Sequence, residues 1–265
     1  MQNIKESHKN DKEDNYLNIF IVAHKDFDNH RYNPVYKIIA NDPSKLKNKY
    51  ELEVLYCDKN SRLYDMDLAN SEMSKIYHIF NIYKNGEISS IYIGINHYRR
   101  YFSFLDDIPD LDDIFKEYDV ILSNKFYVKE GSLKENYYKR HLKNNYDEMI
   151  EIIKNKRPEY YQAAIEASNS PIFFPWNIFI MKKQDFLNYC EFIFEILFEF
   201  DKRHNFNKQK DVEEYTKKYF QEKDVLYQQR IQAFLSERIS TIFHCQYFNF
   251  SKIKIIKMLF EDKND

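Results

Sequence analysis

His97, Tyr98, Arg99 and Arg100 stand together at the end of an apolar run, in the segment IYIGINHYRRYFSF over residues 91–104. The chain has only nine arginines, so an adjacent pair is informative. A guanidinium presents a planar fork of donors matched to phosphate oxygens and keeps its charge. Arg99 and Arg100, with His97, match the charge of a diphosphate without a metal. The competing reading is local pairing with Asp106, Asp107 or Asp110 just downstream. In an extended segment adjacent side chains also point to opposite sides, so one arginine would face a ligand and the other the protein.

Other residues could take part in the same chemistry. His24 and Lys25 close the apolar run YLNIFIVAHK (16–25), where a loop could meet a nucleotide or simply face water. Glu237 and Arg238 lie in a helical pattern; a glutamate in a pocket can act as a general base, and a solvated surface is the alternative. Trp176, the only tryptophan, precedes Asn177 and could stack on a base or sugar, or belong to the core. Five aspartates in FLDDIPDLDD (104–113) could converge on Mg2+ or Mn2+, or Asp110 or Asp112 could cap a helix. His141 and Glu72 read as local packing and helix-dipole residues. Neither a nucleophile elbow nor a Ser-His-Asp order is present, and Cys57 and Cys190 sit in apolar surroundings.

These residues need elements to hold them. The runs at 16–25, 91–95 and 117–123 read as buried strands. Residues 171–183 read as a strand pair or bent strand. Residues 69–86 read as a helix capped by Asn70 or Ser71 and stopped by Gly86. Residues 185–204 form the clearest helical pattern, with Asp185 as N-cap, and 226–243 form another. Residues 134–168 read as helical, 26–36 as a turn-rich loop, and the end as an edge strand or a helix. Strands alternating with helices predict an α/β domain with a mostly parallel or mixed sheet. In such sheets ligands bind at the carboxyl ends of strands, where His24-Lys25 and His97–Arg100 fall. Residues 1–15 read as a flexible tail and 16–265 as one domain.

Composition removes whole classes. The formal net charge is −2, which gives no basic field for nucleic acid. Three glycines support neither a GxGxxG fingerprint nor a P-loop. Three scattered cysteines and a polar N-terminus fit a cytoplasmic protein, and no apolar stretch is long enough to span a membrane.

The segment IYIGINHYRRYF resembles the DYIGLCHYRRYF motif of a family of bacterial capsular-polysaccharide and O-antigen biosynthesis proteins, long filed as a domain of unknown function and now treated as glycosyltransferases. IVAHK, NSEMSKIYHIF, YDVILS, WNIFIMKKQDFLNYCEFIFEIL and FLSERISTIF agree with it in order, from about residue 17 to residue 245. The resemblance implies a GT-A-like (Rossmann-like) fold: a mixed sheet flanked by helices in a single domain. It implies sugar transfer from a nucleotide-sugar, UDP-linked, to a glycan or lipid-linked glycan acceptor, with peripheral contact at the inner membrane face. Where many GT-A enzymes carry a metal-binding DXD motif, this chain carries Asn96 to Arg100. On that basis Arg99, Arg100 and His97 take over the neutralisation of the diphosphate, with Mg2+ or Mn2+ as the alternative. Glu237 is the base if transfer inverts the anomeric centre, whereas a retaining enzyme needs none in that role. His24, Lys25, Trp176, Asn177 and Arg238 are the expected donor-binding residues. The rival expectation is a non-catalytic module that binds a nucleotide-sugar or glycan.

Overall fold

A computed structural model describes residues 16–248 and 250–261; the expected tail, 1–15, lies outside them. Strand β1 (Leu17–Ala23) is buried at every position. It runs parallel to β2 (Tyr36–Ala40), which runs parallel to β3 (Val54–Tyr56). The chain then forms α1 (Asp67–Asn70) and α2 (Glu72–Lys84) and returns as β4 (Tyr92–His97) on the other side of β1, again parallel. A tight turn at Tyr98 and Arg99 leads to β5 (Arg100–Phe102), antiparallel to β4 through the pair His97–Arg100.

Next come α3 (Leu111–Glu117), β6 (Val120–Leu122), β7 (Phe126–Tyr127), α4 (Leu133–Tyr138), α5 (Lys143–Lys156), α6 (Tyr161–Asn169), β8 (Ile172–Phe173) and β9 (Phe179–Lys182). The chain ends in α7 (Lys183–His204), α8 (Gln209–Lys217), α9 (Glu222–Gln228), α10 (Ile231–Tyr247), β10 (Ile253–Ile255) and β11 (Met258–Phe260). The main sheet runs β10-β6-β9-β4-β1-β2-β3, with β9 antiparallel to both neighbours. Strand β11 pairs with β5 at one edge. This is a mixed α/β sheet flanked by helices in a single domain, as expected.

Alternation along the strands separates two cores. Phe20, Ile93 and Ile95 pack against α2, α5, α7 and α10. Ile19, Ile21 and Tyr92 face the other side, beneath Phe27, Phe102 and Phe115. Gly94 sits where three strands meet: a Cβ there would lie 2.9 Å from Ile19 Cγ1 and 3.1 Å from Ile180 Cγ1.

Several boundaries differ from expectation. Strands β2 and β3 escape the sequence reading because they are short and set among turn residues. Ser71 occupies the N-cap position of α2 but takes φ 50° and makes no side-chain cap bond, and the Asn70 amide donates to the Met66 carbonyl. Asp185 lies in the first turn of α7 and accepts from the Tyr247 hydroxyl at 3.0 Å, so it is not the N-cap. The helix expected over 226–243 is two helices, broken at Gln229–Arg230. Of the last segment, Ile253–Ile255 and Met258–Phe260 form strands.

The chain leaves β1 toward β2 on one side and reaches β4 on the other. The crevice where these connections diverge, at the carboxyl ends of β1 and β4, is the topological position for a ligand in an open α/β sheet.

Candidate active site

Arg99 lies in the β4–β5 turn and Arg100 begins β5, so the alternation of an extended strand does not separate them. The turn keeps the two charges close enough to repel: burial first, then Arg99, lowers the Arg100 pKa. The Arg99 guanidinium lies 5.1 Å from the Tyr98 ring centroid. That of Arg100 lies 5.1 Å from Trp176 and 4.8 Å from Phe260. Its Nη1 is 3.4 Å from His97 Nδ1.

The expected local salt bridges do not form. Asp106 is held by Arg31 at 3.2 Å and by the backbone N–H groups of Tyr32 and Asn33, and Arg31 also binds Glu261 at 2.7 Å. Of the nine arginines, Arg31, Arg62, Arg140, Arg157, Arg203 and Arg238 pair with carboxylates. The other three, Arg99, Arg100 and Arg230, have no carboxylate within salt-bridge distance among the described residues. All three are half-buried. The Nε atoms of Arg99 and Arg100 are sealed from solvent without a partner. Arg230 occupies the α9–α10 break, and its Nε donates to Ser71 Oγ at 3.0 Å. Its charge acts on both His97 and Glu72, which joins it to the cluster that holds Arg100.

His97 is buried, and burial and Arg100 lower its pKa to about 3. It is therefore a neutral imidazole, a hydrogen-bonding group and not the cation expected from sequence; Arg230 supplies the third charge. The His24 ring stands edge-on to Tyr98 with centroids 4.9 Å apart. Burial of that ring, then Lys75 and Lys25, lowers its pKa to about 4. Lys25 is exposed beside it. Lys75 is buried and bonded to Asp67 and the Ser71 carbonyl.

Opposite the arginine hairpin, the turn before β9 places Trp176 at φ 72° and Asn177 at φ 51°. Two successive left-handed non-glycine residues carry strain of about 1–3 kcal/mol each, the kind that accumulates where function demands it. The turn points the Asn177 side chain inward as a junction. Its Nδ2 donates to Glu72 Oε1 at 2.9 Å and to Ser236 Oγ at 3.1 Å, and its Oδ1 accepts from Tyr189 at 3.2 Å. Glu237 Oε1 accepts the Trp176 backbone N–H at 3.0 Å, and Oε2 accepts Arg238 Nη1 at 2.9 Å. Arg238 is buried, donates to Asn136 and the Phe234 carbonyl, and lies over Phe173. Its guanidinium is committed to the protein, so its effect on the site passes through Glu237.

Glu72 opens α2 and joins this cluster, though its sequence context suggests only a helix-dipole residue. Burial and the Glu237 charge raise its pKa to about 7, against its own backbone N–H, Asn177 and Arg230. No sequence signal near Glu72 marks this. The causes are tertiary: burial first, then the Glu237 charge on α10, far along the chain.

A divalent metal does not fit the carboxyl end of β4. Hard cations need several converging oxygens. Here arginines and a neutral histidine converge, and the Glu237 oxygens are occupied. The acidic loop disperses: Asp110 caps α3, Asp112 accepts from Tyr92, and Asp113 pairs with Lys116. Among the described residues, no three histidines, cysteines or carboxylates are grouped to hold a metal, and no helix is long and apolar enough to cross a membrane.

Comparison with known proteins adds three findings. A model of the family described as a domain of unknown function (DUF4422) matches residues 18–247. No match is found among curated proteins. The apo structure of WbbM, a bifunctional glycosyltransferase, is similar with a TM-score of 0.71 at 18% identity, over 94% of this chain and 46% of that one. The chain thus spans less than half of that protein, and at this identity the likeness is one of fold.

Proposed function

The chain belongs to the DUF4422 family, and from that premise we propose that it is a glycosyltransferase using a nucleotide-sugar donor, UDP-linked. One observation carries the reading: three half-buried arginines without carboxylate partners gather in one charged cluster with His97 and Glu72, beside the switch point of the sheet. Like charges held together in a part-desolvated site are unfavourable until an anion enters. A diphosphate supplies that anion. Sugar transfer builds further negative charge on the departing diphosphate, and preorganised cations aimed at developing charge are the largest catalytic contribution available.

In this reading Arg99, Arg100 and Arg230 bind the diphosphate and stabilise its departure. Neutral His97 adds a hydrogen bond. Trp176 and Asn177 line the sugar side, and His24 and Lys25 the nucleotide side. The donor set favours metal-independent transfer. The acceptor we propose, a growing capsule or O-antigen glycan at the inner membrane face, rests on the likeness of the HYRRYF segment.

A thermal-shift panel of nucleotide-sugars, followed by mass-spectrometric detection of released nucleoside diphosphate, tests the proposal. A stabilising donor that is slowly hydrolysed, in the presence of a chelator, is the expected result. No shift with any donor would refute it. A shift without turnover would favour the rival, a binding module.

A further inference from the structure

Resting on the glycosyl-transfer reading, we infer that Glu72 takes the proton of the attacking hydroxyl, and that Glu237 is a positioning residue. Glu237 is the carboxylate to which sequence points, but both its oxygens are engaged, by the Trp176 N–H at 3.0 Å and by Arg238 at 2.9 Å. Protonating it would break a bond to a buried arginine and release the turn that presents Trp176 and Asn177.

Glu72 is placed differently. It begins α2 directly after Ser71, which takes φ 50° at the helix start. Oε1 is fixed by Asn177 at 2.9 Å. Oε2 has no side-chain partner among the described residues. The groups facing this carboxylate come from every element around it: Arg100 from β5, Asn177 and its partner Tyr189, Glu237 from α10, and Arg230 from the α9–α10 break. It is therefore tied to the strained turn through Asn177 and shares one charged cluster with Arg100 and Arg230. A raised pKa near the working pH suits a general base. His97, with a pKa lowered to about 3, is far too weak a base.

The step balances. The acceptor oxygen forms a bond to the anomeric carbon, and its proton passes to Glu72. The bond from the anomeric carbon to the diphosphate oxygen breaks, and its electron pair leaves on the diphosphate, which the three arginines hold. Glu72 then returns its proton to solvent. Nothing further is consumed.

The test uses the full chain, the nucleotide-sugar that gives the largest thermal shift, and water as acceptor, with released nucleoside diphosphate as readout. The wild-type rate should rise with pH through an apparent pKa near 7 and then level. Glu72→Gln should bind UDP within about threefold of wild type, lose roughly 100-fold or more in hydrolysis, and lose the pH-dependent limb. A wild-type rate that is flat from roughly pH 5.5 to 8.5, or a Glu72→Gln rate within about threefold of wild type, overturns the assignment. If Glu72→Gln does not fold, Glu72→Asp decides. A slower enzyme that keeps the limb supports the role, and an unchanged rate rejects it. A panel in which no donor binds refutes glycosyl transfer itself, whereas a bound donor with those adverse profiles refutes only Glu72.

Discussion

Replacing Arg100 and Arg31 by glutamine, one at a time, should separate binding from stability. Arg100 has no carboxylate partner, and its stability contribution is its contact with the Trp176 and Phe260 rings at 5.1 and 4.8 Å. Such contacts contribute about 0.5–1 kcal/mol each, and here the loss is offset by relief of repulsion from Arg99. Arg100→Gln should therefore change unfolding free energy by less than about 1 kcal/mol. A hydrogen bond from a charged donor to phosphate contributes about 1.5–3 kcal/mol, so UDP affinity should fall about 10- to 150-fold. Arg31 is the opposite case. Its side chain is 7% exposed and holds Asp106 and Glu261 together. Removing one partner of a buried pair costs about 3–5 kcal/mol; hydration of the part-exposed carboxylates reduces this to about 2–3 kcal/mol. Arg31→Gln should thus lower stability by that amount while UDP affinity in the folded protein stays within about threefold. Urea unfolding and titration calorimetry with UDP read the two quantities. Unchanged UDP affinity in Arg100→Gln, or destabilisation matching that of Arg31→Gln, would show that the unpaired arginines are structural and defeat the argument.

Three further outcomes follow from the geometry. The Glu72 pKa is raised on folding to about 7 from an ordinary 4.5, so its contribution is fully present below about pH 4.5 and is lost as pH rises through 7. Glu72→Gln should match wild type in acid and be more stable at pH 8, by up to about 3 kcal/mol, in pH-dependent urea unfolding. Asn177→Ala removes a donor that holds the Glu72 pKa down and takes from the Tyr189 hydroxyl its Asn177 acceptor. It should cost about 1–3 kcal/mol in unfolding free energy and move the rising limb of hydrolysis to higher pH in a pH–rate profile. Gly94→Ala drives a Cβ to 2.9 Å from Ile19. It should cost about 1–3 kcal/mol by overpacking, and an unchanged thermal midpoint would contradict the packing described.

The residues that sequence reveals best are those whose role is settled within a few neighbours. The uninterrupted apolar runs of β1 and β4 mark buried strands, and the helical spacing from Phe186 to Phe198 marks α7. Asp110 caps α3 because a carboxylate can reach the Asp113 N–H wherever that local turn forms. Strand β5 is too short to show a period, and β2 and β3 lie among turn residues. The His97–Arg100 cluster is visible as an oddity of composition, but its meaning depends on whether carboxylates meet it. Asp106 stands six residues beyond Arg100 and yet pairs with Arg31, 75 positions away. Arg230 enters the site only because a helix breaks beside it, and Glu72 is held near neutrality because the fold buries it and brings Glu237 beside it from a distant element. Sequence alone thus determined the buried strands β1 and β4, the long helix α7 and the charged strand end, since backbone preference and periodicity act through near neighbours. Tertiary structure decided which charges are compensated and which carboxyl is held near neutrality, since Coulomb energy and desolvation depend on distance through space, not along the chain.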